Sequence, residues 1–313
     1  MTALHRRRRA GFSLVELLVV IAMLAVLAAL GAGAYFRVRG SAQVKATEET
    51  LSKASSGFMQ IWSAELDNAR DSFAGKSGFA QYASAVDNLK IIAGGDVDRA
   101  RALWNYLWMK NAFPQTIAEA TAATTMTVNV GGTNYTVTLP ARPTFSGMTA
   151  GTLTNPEQAA VILYRILTQK GSRGQVYNEE AIGSLSLVLP GTQYRVFTDA
   201  FGHPITYIRW TSGQQGELNS PSFLKGNNPS RDPFDPTGRL LGAAWTVAAQ
   251  RTAAATALGF TDFTSTNWMP TLIARGDSDS WGTLLSTTTG LVPVPDGVLS
   301  GYKLRRQGAR GDQ

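Results

Sequence analysis

The feature that most limits what this chain can become is Phe12–Phe36, a run of 25 residues reading FSLVELLVVIAMLAVLAALGAGAYF, in which the only charge is Glu16. As a helix rising about 1.5 Å per residue it covers roughly 37 Å, enough to cross a hydrocarbon core of about 30 Å. Arg6, Arg7, Arg8 and Arg9 precede it closely, and Arg37, Arg39 and Lys45 follow it. The flank richer in Lys and Arg stays in the cytoplasm. The expectation is a single-pass anchor with its N-terminus inside and the rest of the chain on the far side.

A secretory signal peptide has the same basic start and apolar run, and Ala32-Gly33-Ala34 supplies a cleavage site of the A-x-A kind. Two details oppose that reading. A carboxylate inside an apolar segment is expensive, on the order of 2–3 kcal/mol near the centre of a bilayer and less near its edge, so Glu16 asks for a purpose. The helical pattern also continues past the apolar run, with Val44, Leu51, Ala54, Phe58, Ile61, Trp62, Leu66 and Ala69 on one stripe at three- and four-residue intervals. Cleavage after Ala34 would discard half of one continuous helix.

The string Arg9-Ala10-Gly11-Phe12-Ser13-Leu14-Val15-Glu16-Leu17-Leu18 resembles the class III prepilin signal of the type IV pilins and the pseudopilins of type II secretion. The shared pattern is a short basic leader, Gly at the cut, Phe as the new N-terminus and Glu four residues on. The resemblance implies cleavage between Gly11 and Phe12 by a prepilin peptidase, a membrane aspartyl enzyme that also N-methylates Phe12. Gly11 lets an extended backbone lie close to catalytic groups, because it has no side chain. The resemblance also implies that Glu16 meets the Phe12 amine of a neighbouring subunit during filament assembly. The spacing equally permits a pair with the chain's own Phe12 amine, one helical turn away. Ala22, Ala25, Ala29 and Gly33 give the anchor a small-residue face on which helices can approach. Gly31 and Gly33 each weaken a helix by about 1 kcal/mol, so a bent or partly melted helix is expected when it packs in a filament.

Composition narrows the function. The chain has 313 residues and no cysteine, which excludes disulfides and thiolate metal sites. Its net charge of +7 belongs mostly to the leader: loss of Arg6 to Arg9 leaves 25 basic against 22 acidic residues, or +3. The two histidines, His5 and His203, provide neither a zinc pair nor a Ser-His-Asp set. Ser222-Phe-Leu-Lys225 matches S-x-x-K, a pattern common by chance, and no K-T-G follows it. No phosphate-binding glycine loop occurs. The chain reads as a non-enzyme. The basic tail, Lys303, Arg305, Arg306 and Arg310, lacks interleaved aromatics, so no nucleic acid is expected as a partner. No cofactor is expected either. The one candidate metal loop is Asp277-Ser278-Asp279-Ser280, which would have to assemble the six to eight oxygens of calcium around two carboxylates. Two aspartates in a polar turn are far more often solvated.

Beyond Arg70 short elements alternate with Gly, Pro, Ser and Asn. Residues 80–112 read as helical and end before Pro114; Thr125–Val130 and Thr133–Leu139 alternate around Gly131-Gly132 as a hairpin. Asn155-Pro156-Glu157 opens a helix that stops near Gly171, and Gln193–Phe197, Ile205–Trp210 and Leu272–Ala274 read as strands. Asp199-Ala200-Phe201-Gly202-His203-Pro204 resembles the D-x-W/F-G-x-P loop of major pseudopilins, with Ala200 in place of a frequent Pro and His203 in place of a frequent Asn. The fold expected is α+β: a helix of roughly 58 residues, about 85 Å long, its second half packed on a mostly antiparallel sheet with inserted helices. The organisation expected is a leader over 1–11, a membrane half of the helix over 12–36, an amphipathic half over 37–70, an extracytoplasmic head over 71–302 and a basic tail over 303–313. The partners implied by the resemblance are the peptidase, other pilin or pseudopilin subunits, the inner-membrane platform of the system and membrane lipid. The rival expectation is a secreted soluble binding domain cleaved after Ala34, with its Trp and Tyr content suited to carbohydrate.

Overall fold

A computed structural model describes residues 14–170, 177, 179–182, 186–209, 234–235, 237–240, 245, 248–258, 270–276 and 299–300. The chain falls into two compact units, Met1–Lys45 and Ala46–Gln313. Helix α1 runs Leu14–Phe73, with Glu16 in its first turn and Arg70 in its last, the signs that suit the helix dipole. It is continuous through Gly31 and Gly33 in the single chain. Two glycines in a sixty-residue cooperative helix cost about 2 kcal/mol together, and a Cβ at either would meet open space, so neither is required by close packing in the chain itself.

Within the second unit the stripe read from the sequence is the buried face of α1. Leu51, Ala54, Phe58, Ile61, Trp62, Leu66 and Ala69 are buried, joined by Thr47, Thr50, Gly57 and Ser72. Val44, the remaining member of the stripe, belongs to the first unit and is half-buried. Each large apolar side chain so placed contributes on the order of 2 kcal/mol. Gly57 serves close approach: a Cβ there would stand 3.1 Å from the Tyr177 ring.

A single 3₁₀ turn, Ala80–Tyr82, leads into α2, Ala83–Ile92, and α3 spans Val97–Ala112. The one helix expected over 80–112 is therefore two. Gly94 and Gly95 take φ of +71° and +82°, which ends α2, and the Asp96 carboxylate restarts the helix by accepting the Asp98 and Arg99 N–H groups at 3.0 Å. Helix α3 is buried around most of its circumference, from Leu103 through Met109. Its indoles are still anchored: Trp104 donates to Ser72 Oγ at 2.8 Å and Trp108 to Glu65 Oε2 at 2.9 Å.

Helix α4, Ile117–Thr121, precedes the hairpin of β1, Thr125–Val130, and β2, Thr133–Thr138, in register from Thr125 opposite Thr138 to Val130 opposite Thr133. Gly131 and Gly132 both have positive φ, as the expected tight turn requires. Helix α5, Asn155–Arg165, opens with a capping box between Thr154 and Glu157 and continues as a π turn over Ile166–Lys170. Helix α6 is Glu179–Ile182. Strand β3, Ser186–Val188, was not expected; it pairs with β4, Arg195–Phe197, across Pro190-Gly191. Strand β5, Ile205–Ile208, helix α7, Ala248–Leu258, β6, Thr271–Ala274, and β7, Leu299–Ser300, complete the list, with sheet order β5-β6-β7. The fold is α+β, and the described strands form three small antiparallel sheets rather than one.

Every residue of β5 and β6 is buried, so their sheet is covered on both faces. The aromatic centre of the core joins α1 to it: Phe58 lies 5.2 Å from both Phe113 and Tyr207, and Trp62 lies 4.7 Å from Phe113, centroid to centroid.

Candidate functional site

In the first unit the distinguishing feature of α1 is how much apolar surface it presents. From Leu14, 78% exposed, to Val38, 68% exposed, the large aliphatic and aromatic side chains stand open, as a helix long and apolar enough to cross a membrane. Glu16 sits at the start of this surface, and Ala22, Ala25, Ala29 and Gly33 are exposed along it. Gly11, Phe12 and Arg6 to Arg9 lie outside the described residues, as do Asp277, Asp279, Ser222, Lys225 and the tail 303–313.

In the second unit two polar constellations stand out, both built from residues far apart in sequence. The first is the corner between β4 and β5. Asp199 Oδ1 accepts the N–H of Phe201 at 3.0 Å and of His203 at 2.8 Å, while Oδ2 accepts the Gly276 N–H at 3.0 Å. Gly202, φ +85°, donates to the Asp199 carbonyl at 3.0 Å and closes the turn. His203 Nδ1 donates to the Gly276 carbonyl at 2.8 Å, which sets its tautomer. The loop is fastened to α1 as well, because Ala200 N–H donates to Thr47 Oγ1 at 3.1 Å. Burial pushes the Asp199 carboxyl up, against the donors from His203, Gly276 and Phe201. With both carboxylate oxygens and the imidazole Nδ1 engaged by backbone, this corner is a clasp that fastens three segments together.

The second constellation surrounds Glu119. Arg209, itself buried, approaches it with both terminal nitrogens, at 3.0 and 3.1 Å. Arg209 Nη1 also donates to the Phe113 carbonyl at 2.9 Å and Arg142 to the carbonyls of Glu119 and Ala122, so the two guanidiniums cap the C-terminal ends of α3 and α4. Gln115 N–H donates to Glu119 Oε2 at 2.8 Å, and Lys110 Nζ stands 4.0 Å from Oε1. Burial lowers the Lys110 ammonium, partly offset by Glu119 and reinforced by Arg209. Burial likewise raises the adjacent Tyr207 phenol, which donates to the Pro114 carbonyl. These charges tie element ends together. Among the described residues no group of three or more His, Asp or Glu comes together for a metal.

The clasp motif was legible in the sequence by its Asp, Gly and Pro; Glu119, Arg209 and Thr47 were not. An isolated acid, arginine or threonine carries no local signal that it will be buried against a partner 90 or 153 residues away.

Residues 6–32 match the family model described as the prokaryotic N-terminal methylation motif. No curated protein and no solved structure matches the chain. The matched residues contain the basic leader, Gly11, Phe12, Glu16 and most of the apolar run, and they constitute a class III prepilin signal, the N-terminal signature of the type IV pilin and pseudopilin family.

Proposed function

We propose that this chain, bearing a class III prepilin signal, is a structural subunit of a type II secretion pseudopilus or a type IV pilus-like filament, and not an enzyme. What carries the reading is the coincidence of the methylation motif over residues 6–32 with an unbroken helix, Leu14–Phe73, whose first half is exposed and apolar and whose second half roofs a folded head. The precursor is held in the inner membrane with Arg6 to Arg9 in the cytoplasm, and the head lies on the other side. Prepilin peptidase cuts after Gly11 and methylates Phe12, removing 1–11 and leaving 12–36 as the spanning half of the helix.

Glu16 then has a task that its cost in the bilayer justifies. An incoming subunit's Phe12 amine carries a positive charge into low dielectric, and a carboxylate at that depth compensates it. Each subunit so placed offers an amine to one neighbour and a carboxylate to another, which sets their axial stagger. The exposed small residues let the helices approach while the large ones fill the shared core. A head of more than two hundred residues is bulky to repeat along a tightly packed filament and favours a minor subunit. The partners are the peptidase, the other subunits and the inner-membrane platform. A structural role of this kind needs no cofactor, and none is assigned.

The secreted-domain alternative requires cleavage after Ala34. Helix α1 passes through Ala34 without interruption, which favours cutting at Gly11 instead. Mass spectrometry of the mature N-terminal peptide tests the proposal: N-methyl-Phe12 is expected, and a terminus at Tyr35 would overturn it.

A further inference from the structure

Between Glu16 and Glu48 the chain has no acidic residue, and its only charges are Arg37, Arg39 and Lys45. Arg37 and Arg39 follow directly on the end of the apolar run and Lys45 lies about two to three turns on; at that end Tyr35 and Phe36 are 60% and 66% exposed and their rings meet edge to face at 5.7 Å. Arg37, Arg39 and Lys45 are exposed and form no ion pair among the described residues. The next cation along α1 differs: Lys53 is held by Glu49 at 2.7 Å. Cations on this flank run against the general tendency to keep Lys and Arg on the cytoplasmic side, so their presence calls for a local reason.

The helix geometry supplies one. With Phe36 at the edge of the hydrocarbon, Arg37 and Arg39 stand about 1.5 and 4.5 Å beyond it and Lys45 about 13 Å beyond. The headgroup layer is roughly 5–8 Å deep on each side. Helical Cα–Cβ bonds lean toward the N-terminus, which on this flank is toward the bilayer, so all three long stems start back in the direction of the headgroups. Guanidinium forks match phosphate oxygens in pairs. Resting on the reading of α1 as a membrane anchor, we propose that Arg37, Arg39 and Lys45 form a collar that binds the phosphates of anionic phospholipids in the leaflet facing the head. Tyr35 and Phe36 seat at the same level as an aromatic belt. The collar gives the membrane-resident subunit a contact that it must give up on entering a filament, so the anionic lipid fraction biases the partition between the two.

The test uses the full chain in phosphatidylcholine vesicles containing traces of spin-labelled phosphatidylglycerol or spin-labelled phosphatidylcholine. The motionally restricted fraction of each label reports which lipid the protein prefers. The wild type should prefer phosphatidylglycerol several-fold at low salt, with up to about fivefold from each cation, and the preference should collapse near 1 M salt, where the screening length is about 3 Å. The triple variant Arg37→Gln, Arg39→Gln, Lys45→Gln should lose most of the preference, while Arg37→Lys with Arg39→Lys should keep it. Arg6 to Arg9 are common to all variants, so the difference isolates the collar. Equal preference in wild type and triple variant would overturn the proposal. Failure of the anchor reading looks different: a chain that does not insert restricts neither label and is removed from the vesicles by alkaline carbonate.

Discussion

Arg209 grips Glu119 by both oxygens, Nη1 to Oε2 at 3.0 Å and Nη2 to Oε1 at 3.1 Å, across 90 residues of sequence. Removing either partner strands the other. Glu119→Gln and Arg209→Met should each cost about 3 kcal/mol, the lower end for a buried pair because the Glu119 side chain keeps 30% exposure. The double variant should cost clearly less than the two added together. Chemical denaturation of the four proteins in detergent checks it, and strict additivity would remove the pair from the stability of the head.

The same carboxylate makes the head sensitive to acid. Burial pushes Glu119 upward, but the charge and hydrogen bonds of Arg209, the Gln115 N–H and Lys110 outweigh it and hold the group below the ordinary glutamate value. A depressed folded value means that its stabilisation is complete above the unfolded value, near 4.3, and is lost as pH falls through the folded one. Thermal unfolding followed from pH 7 to 3 should therefore fall more steeply below about pH 4 in wild type than in Glu119→Gln. Parallel curves would sink this assignment.

Gly57 exchanges helix propensity for a neighbour. Alanine there gains up to about 1 kcal/mol in an open helix, yet its Cβ meets three Tyr177 ring atoms at 3.1 to 3.2 Å, and overpacking costs about 1–3 kcal/mol. Gly57→Ala should destabilise the wild-type head and stabilise a Tyr177→Ala head. The sign reversal in a thermal melt is the measurement; a gain in both backgrounds would show that Tyr177 yields freely.

Gly11→Leu should block processing, since a side chain at the cut crowds an extended substrate. The precursor would accumulate about 1 kDa heavier than the mature form, the rough mass of eleven residues. A normal rate of processing by gel shift would contradict the cut at Gly11.

Glu16→Gln keeps shape and removes charge. The variant should be inserted and cut after Gly11 yet fail to enter filaments, because no carboxylate meets the neighbour's amine. If Glu16 serves only its own amine, the loss is a mild one of about 0.3–0.5 kcal/mol in helix stability and assembly survives. Sheared-filament yield decides between them, and a normal yield from a correctly cut variant would end the assembly role.

What could be read in advance followed from periodicity and turn chemistry. Leu51 to Ala69 announce their buried face at helical spacing, and Gly131-Gly132 between two alternating segments announces a hairpin. The helix expected over 80–112 divides because Gly94 and Gly95 take positive φ and Asp96 caps a new helix, and the helical spacing of Leu103, Tyr106, Leu107 and Lys110 lies wholly beyond that break and carries no sign of it. Strand β3 went unread because Ser186, Leu187 and Val188 are too few to show alternation, and the two apolar residues among them are adjacent. Glu119 and Arg209 belong to a third kind: their meeting is decided by the packing of β5 against the ends of α3 and α4, and no local pattern encodes it.

Thr47 is the first buried residue of the described chain, and its hydroxyl takes the Ala200 N–H of the Asp199 clasp. Helix α1, the β4–β5 corner and the residues just past β6 are thereby strung on one line of hydrogen bonds, Thr47 to Ala200 and Asp199 to Gly276, so that a helix and a sheet hold the same corner from two sides.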